Sequence, residues 1–262
     1  MDLANMKPNE VRSLIRKGEL VQPTSGMCKG HIQANLVIVH KDLAFDFLLF
    51  AQRNPKPCPI LDVTDVGDPE PKLMAKGADL RFDIPKYRVY KHGELVDEVT
   101  DIEKYWTDDL VAFLLGCSFS FESAMLNASI PVRHIEDNHN VPMYITNIET
   151  EPAGKFHGKM VVSMRPIPHQ QIVRAVQATS RFPQVHGAPV HIGDPSIIGI
   201  KDIDKPDFGD ASVIKEGEVP VFWACGVTPQ SIAMTSKPDL MITHSPGYMF
   251  ICDPMDEDLA VL

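Results

Sequence analysis

Between His186 and Pro195 the chain sets His186, His191 and Asp194 among Gly187, Pro189, Gly193 and Pro195, then runs into the apolar Ile197-Ile198-Gly199-Ile200. Imidazole and carboxyl groups move protons near neutral pH, while glycine and proline fix the backbone, so the pattern reads as the lining of a site. The same residues also fit a tight turn between buried strands, with the imidazoles in structural hydrogen bonds. Glu122 lies beside Phe121 and Ala124-Met125-Leu126. Apolar surroundings would raise its pKa toward general acid or base duty; the other reading is a carboxylate matched to a helix dipole. His244, at the end of an apolar run, is the first choice for a proton carrier. Cys225 precedes an expected helix start, where the dipole would lower a thiol pKa, although a plain buried cysteine fits as well.

Groups that could hold a ligand lie elsewhere in the chain. Arg165 closes an expected strand and offers a bidentate grip on a carboxylate, or a salt bridge at an edge. Thr24-Ser25-Gly26-Met27-Cys28-Lys29-Gly30 resembles a glycine loop opening a helix, so Ser25 and Gly26 could present N–H groups to a small carboxylate. It is not a Walker loop, because Lys29 precedes Gly30 and no Ser or Thr follows. Gly226 and Thr228, at the start of another expected helix, offer a second N–H nest. His186 and His191, five residues apart on a strand, would face opposite sides unless Pro189 bends it. With no metal-ligand spacing in the chain, neither a metal nor a cofactor is expected.

These residues need elements to position them. Helices are expected over Pro8 to Leu20, Asp42 to Arg53, Phe121 to Asn127 and Pro168 to Ser180. Leu110 to Leu115, apolar almost all round, is expected as a buried helix capped by Thr107 and ended by Gly116. Tyr87-Arg88-Val89-Tyr90 and Leu95 to Val99 flank a hairpin turn. Asn140 to Asn147 and Gly158 to Pro166 are expected strands; with the helix after them they suggest a small two-layer unit. The run Val219 to Cys225, a helix from Pro229, and Leu240 to His244 suggest a right-handed crossover between parallel strands. Cys225, Thr228 and His244 would then share a ligand-binding sheet edge.

Length and composition exclude several classes. The chain has 262 residues, ample for a core, and 44% hydrophobic content, ordinary for a globular protein. A net charge of -10 argues against nucleic acid, and no apolar run reaches the about 18 residues of a membrane span. The expected partner is a small carboxylate or amino-acid substrate, with neither nucleic acid nor membrane, and a homodimer is an ordinary assembly. Five cysteines without a CxxC pair, and a start that reads neither as signal nor as transit peptide, fit the cytoplasm.

Six stretches together resemble the D-glutamate cyclase family, a hydro-lyase family. They are Thr24-Ser25-Gly26 with Gln33-Ala34-Asn35-Leu36, Arg53-Asn54-Pro55 with Pro57-Cys58-Pro59, and Tyr87-Arg88-Val89-Tyr90. The others are Phe113 through Glu122, His186 through Pro195, and Phe222 through Gln230. The resemblance spans nearly the whole chain. It implies a three-layer α/β body with a smaller inserted two-layer α+β unit; the body is expected over 1–130 and 190–262, the unit over 131–189. It also implies closure of D-glutamate to 5-oxo-D-proline with loss of water. That chemistry needs a base, an acid and donors for an oxyanion. The expected roles are His244 or His186 as base, Glu122 or a protonated Asp194 as acid, Gly226 to Thr228 as nest, and Arg165 on the α-carboxylate. Another hydro-lyase, an amide hydrolase using Cys225, and a non-catalytic carboxylate binder are the alternatives.

Overall fold

In the computed structural model, which describes residues 2–261, β-branched and apolar runs form the strands and mostly amphipathic segments cover them. Helix α1 (Pro8–Arg16) leads to strand β1 (His31–His40), helix α2 (Lys41–Arg53) and strand β2 (Ile60–Val63). A hairpin follows, β3 (Tyr87–Lys91) and β4 (Glu94–Val99), then β5 (Leu110–Gly116), α3 (Phe119–Asn127) and the single turn α4 (Arg133–Glu136). Next come β6 (Met143–Glu149), β7 (Lys159–Pro168), α5 (Ile172–Ser180) and the short β8 (His191–Ile192). The chain closes with β9 (Glu218–Ala224), α6 (Thr228–Ser236), β10 (Met241–His244) and β11 (Phe250–Met255).

The protein is mixed α/β, with two antiparallel sheets and these six helices. The larger sheet runs β2-β5-β1-β10-β3-β4, and β11 pairs with β1 beyond the end of β10. The smaller sheet runs β6-β7-β9-β8. In β1, Ile32, Ala34, Leu36 and Ile38 pack on one face while Val37 and Val39 join Phe47 and Phe50 of α2 on the other. Both faces of β1 are therefore buried. In the smaller sheet, Ile167, Val221 and Trp223 pack against Phe121 and Met125 of α3 and Ala175 of α5.

Four expectations about elements are corrected. Leu110 to Leu115 is strand β5, not a helix: alternate residues feed the two cores, Leu110, Ala112 and Leu114 one and Val111, Phe113 and Leu115 the other. A strand buried on both faces is apolar all round, as a buried helix would be. The glycine loop opens strand β1 rather than a helix. Strands β9 and β10 are not parallel neighbours, because β9 lies in the smaller sheet and β10 in the larger, with α6 carrying the chain between them. The smaller sheet is also not confined to 131–189, since β8 and β9 complete it from beyond that range.

Candidate active site

Where β5 ends, Gly116 lies so close to the chain at Gln184 that a Cβ there would come 2.0 Å from the Gln184 carbonyl oxygen. The chain turns through Cys117 and Ser118 into α3, whose first turn carries Glu122. Glu122 Oε1 accepts from Arg165 Nε at 3.1 Å and from Arg165 Nη2, and His134 Nε2 lies 3.0 Å from the same oxygen. Arg165, on β7, also donates to Ser163 Oγ at 3.1 Å and Ser118 Oγ at 3.0 Å. Its guanidinium packs over Phe121 and Trp223 at 5.4 and 5.5 Å. Glu122 is 3% exposed, His134 2% and Arg165 0%, so the three form a buried polar cluster around the Glu122–Arg165 ion pair. Burial pushes the Glu122 carboxyl up, but the charges and hydrogen bonds of His134 and Arg165 outweigh it and hold the group below its ordinary value. The expected proton-donating acid is therefore an ionised carboxylate. Arg165, committed to Glu122 and two hydroxyls, has no free fork for a substrate.

A second acidic group lies beside this cluster. Asp256 starts a 3-10 turn after β11, and its N–H donates to Gly30 O at 2.8 Å, which fastens it to the 24–30 loop. Its side chain is buried, and burial raises the carboxyl to about 7. The Ser120 and Ser123 hydroxyls pull the other way, and the charges of Glu257 and Glu122 add to the rise. Asp256 Oδ1 has no hydrogen-bond partner among the described residues. Gln33 of β1 holds the same loop: its Nε2 donates to Thr24 O at 2.9 Å and its backbone N–H to Ser120 Oγ at 3.1 Å. Its Oε1 is buried without a partner among the described residues. Buried polar atoms left unpaired are costly, so such atoms around one space point to a ligand that completes them.

That space is a cavity of about 230 Å³ lined by Gly26, Lys29, Gln33, Glu122, Ser123 and Asp256 among others. A second cavity of about 410 Å³, lined by Ser25, His134, His139, Asn140 and Asp210, shares Ile135 with the first as a wall. Three expected residues, Ser25, Gly26 and Glu122, thus meet around adjoining cavities. Asp256, His134, Gln33 and Lys29 were missed by the sequence reading.

The remaining expected residues line neither cavity. His186 sits in the left-handed region at φ 81°, pairs through Nδ1 with Lys56 O at 2.7 Å, and is lowered by burial to about 4. His244 Nδ1 lies 3.1 Å from Leu36 N and 3.4 Å from Leu36 O, and burial lowers the imidazole to about 4 as well. His191 Nε2 pairs with Asp194 O at 2.7 Å near the surface. Asp194 caps a short turn by accepting from Ser196 N at 2.9 Å, and Ser196 holds its carboxyl below the usual range. It is therefore ionised and cannot be the protonated acid. Burial pushes the Cys225 thiol up to about 11, which removes the thiolate an amide hydrolase would need. In the expected nest at Gly226 to Thr228, the Thr228 N–H is taken, donating to Cys225 O at 3.0 Å. Thr228 Oγ1 is also engaged, donating to Cys225 O at 2.7 Å and accepting from Val161 N at 3.0 Å. Among the described residues no group of three or more His, Cys, Asp or Glu side chains is placed to hold a metal ion. None of their helices is long and apolar enough to cross a membrane.

A family described as D-glutamate cyclase matches residues 111–253, a span that includes Glu122, His134 and Arg165. A protein of Psychrobacter arcticus is 83% identical over the whole of both chains. One of Thermoanaerobacter sp. is 72% identical over 98% of this chain and 97% of its own, and one of Bacillus subtilis 63% identical over 98% and 100%. All three carry the name "putative hydro-lyase". Among solved structures, a nitrogen repressor-like protein from Methanococcus jannaschii aligns over 93% of this chain and 97% of its own. Its TM-score is 0.39 at 9% identity.

Proposed function

The chain belongs to the D-glutamate cyclase family, and from that premise we propose that it is a hydro-lyase closing D-glutamate to 5-oxo-D-proline with loss of water. In this reaction the substrate ammonium gives up two protons, its nitrogen bonds to the γ-carboxyl carbon, and a carboxyl oxygen takes both protons and leaves as water. The task is proton relay from nitrogen to oxygen within one small space. A relay works best when its pKa lies near the working pH, since it must both accept and release.

Asp256 carries the reading. It is a buried carboxyl with a pKa of about 7, and its unpartnered oxygen belongs to a group lining the cavity. As carboxylate it accepts a proton from the substrate nitrogen; as carboxylic acid it donates to the departing oxygen. His134 is the second proton carrier, oriented by the ionised Glu122, which Arg165 keeps charged. The Gln33 Oε1 acceptor suits an ammonium, which favours an amino acid over a hydroxy acid. Lys29 and the loop at Gly26 take the substrate carboxylate in place of Arg165. Holding the γ-carboxyl and the amine together supplies much of the rate, because ring closure gains strongly from fixed geometry.

The test is incubation of the purified protein with D-glutamate and with L-glutamate, with chiral separation of the product. We expect 5-oxo-D-proline from the D-enantiomer and an inflection near pH 7 in kcat/KM. Asp256→Asn should lower turnover by about 10²-fold or more and remove that inflection. No cyclised product from either enantiomer overturns the proposal; wild-type turnover in Asp256→Asn removes Asp256 from it.

A further inference from the structure

Apart from His134, loss of water leaves the larger cavity without a role. It abuts the smaller one, shares Ile135 with it, and contributes His134, which lies 3.0 Å from Glu122 of the smaller cavity. The 24–30 loop runs along both, with Ser25 in the larger lining and Gly26 in the smaller. Ser25 Oγ is buried without a partner among the described residues.

The wall of the larger cavity is a fixed construction. Asn140 N donates to Asp210 Oδ2 at 2.9 Å, Asn140 Nδ2 to Pro246 O at 3.0 Å, and His139 Nδ1 pairs with Asn140 O at 2.9 Å. Close backbone approach pins it from both sides. A Cβ on Gly209 would lie 2.0 Å from Val141 O, and one on Gly247 2.6 Å from Asn140 Nδ2. The lining offers the Asp210 carboxylate, the amides of Gln22, Asn138 and Asn140, and two imidazoles, and includes no Lys or Arg. A surface of that kind takes a hydrogen-bonding group that is neutral or cationic and disfavours an anion.

Resting on the cyclisation reading, we propose that the larger cavity is a leaving-group subsite, and that the preferred substrates are γ-D-glutamyl amides of neutral or cationic amines. The attacking α-amino nitrogen forms a bond to the γ-carbonyl carbon and the γ-carbon to amide-nitrogen bond breaks. The substrate ammonium gives up two protons, and the departing nitrogen takes both and leaves as an ammonium. The products are 5-oxo-D-proline and that ammonium, with no water consumed or released. His134, at the boundary, delivers a proton to the leaving nitrogen as that nitrogen enters the larger cavity. An amide also suits the chemistry, because its carbonyl carbon is not shielded by a carboxylate charge and needs no prior protonation.

Three amides test the idea against D-glutamate: the γ-methylamide, the γ-(2-aminoethyl)amide, which carries an ammonium, and the γ-(2-sulfoethyl)amide, which carries a sulfonate. Release of 5-oxo-D-proline should be fastest from the aminoethylamide, with kcat/KM about tenfold or more above that for D-glutamate, and slowest among the amides from the sulfonate. Asp210→Lys should invert the order of the cationic and anionic amides, and Asp210→Asn should narrow the gap between them. Cyclisation of D-glutamate without cyclisation of any amide overturns the subsite alone. An unchanged cation-to-anion ratio in both Asp210 variants does the same. Failure of D-glutamate and all three amides overturns the cyclisation reading and takes this inference with it.

Discussion

Asp256 is a case where a group's energetics follow from neighbours that sequence proximity does not reveal. In Pro254-Met255-Asp256-Glu257-Asp258 it reads as one of several surface acids. Its N–H is tied to the 24–30 loop, and the hydroxyls that temper its rise come from Ser120 and Ser123 of α3. Glu122 was legible in position, in the first turn of a helix, but not in charge state. The Arg165 and His134 that hold it ionised arrive from β7 and α4. The raised Asp256 carboxyl has a consequence for stability. A carboxyl with a folded pKa above its unfolded one destabilises the fold increasingly as pH rises from about 4, and fully above about 7. Asp256→Asn lacks this destabilisation. It should be more stable than the parent at pH 8 by at most about 4 kcal/mol, the difference shrinking to nothing near pH 4. Urea midpoints at pH 5 and 8 measure it; equal midpoints at pH 8 would show that the carboxyl is not strained.

Elements were legible where pattern and punctuation agreed. Tyr87 to Val99 folds as the expected hairpin, and Asp42 to Arg53 lies within α2, because alternation and capping each have one reading there. Leu110 to Leu115 failed because a strand with two buried faces loses the alternation that would mark it. The close packing of β1 against the β9–α6 turn had no sequence signal. A Cβ on Gly226 would lie 1.8 Å from Asn35 Nδ2, and that amide donates to Gly116 O at 2.6 Å. Gly226→Ala must therefore expel the Asn35 side chain and break its buried bond, destabilising by about 2–4 kcal/mol. Asn35→Ala alone should lose about 1–3 kcal/mol. The double variant should be no less stable than Gly226→Ala, since the clash and the lost bond involve the same amide. Additive losses in denaturant unfolding would show that the glycine serves some other purpose.

At the scale of the molecule, the two sheets are stitched by α6 rather than merely adjacent. Near its start, Thr228 Oγ1 accepts from Val161 N of β7 at 3.0 Å. Further along, Gln230 Oε1 accepts from Arg88 Nη1 and Tyr90 Oη of β3, each at 3.2 Å, and Gln230 Nε2 donates to His244 O of β10 at 2.8 Å. The smaller sheet is interleaved with the rest of the chain, because β7 pairs with β9 from Val162↔Ala224 to Pro168↔Glu218. Residues 131–189 lack that partner strand and the Trp223 that packs against α3 and α5. As an isolated fragment they should show no cooperative unfolding and little strand signal in circular dichroism, because β7 would become an exposed apolar edge. The whole chain should melt in a single calorimetric transition, with calorimetric and van't Hoff enthalpies in agreement. Two resolved transitions, or a fragment that folds alone, would mean that α6 and β9 join two independent units. The crevice at Glu122 and Asp256 would then not depend on both sheets being folded.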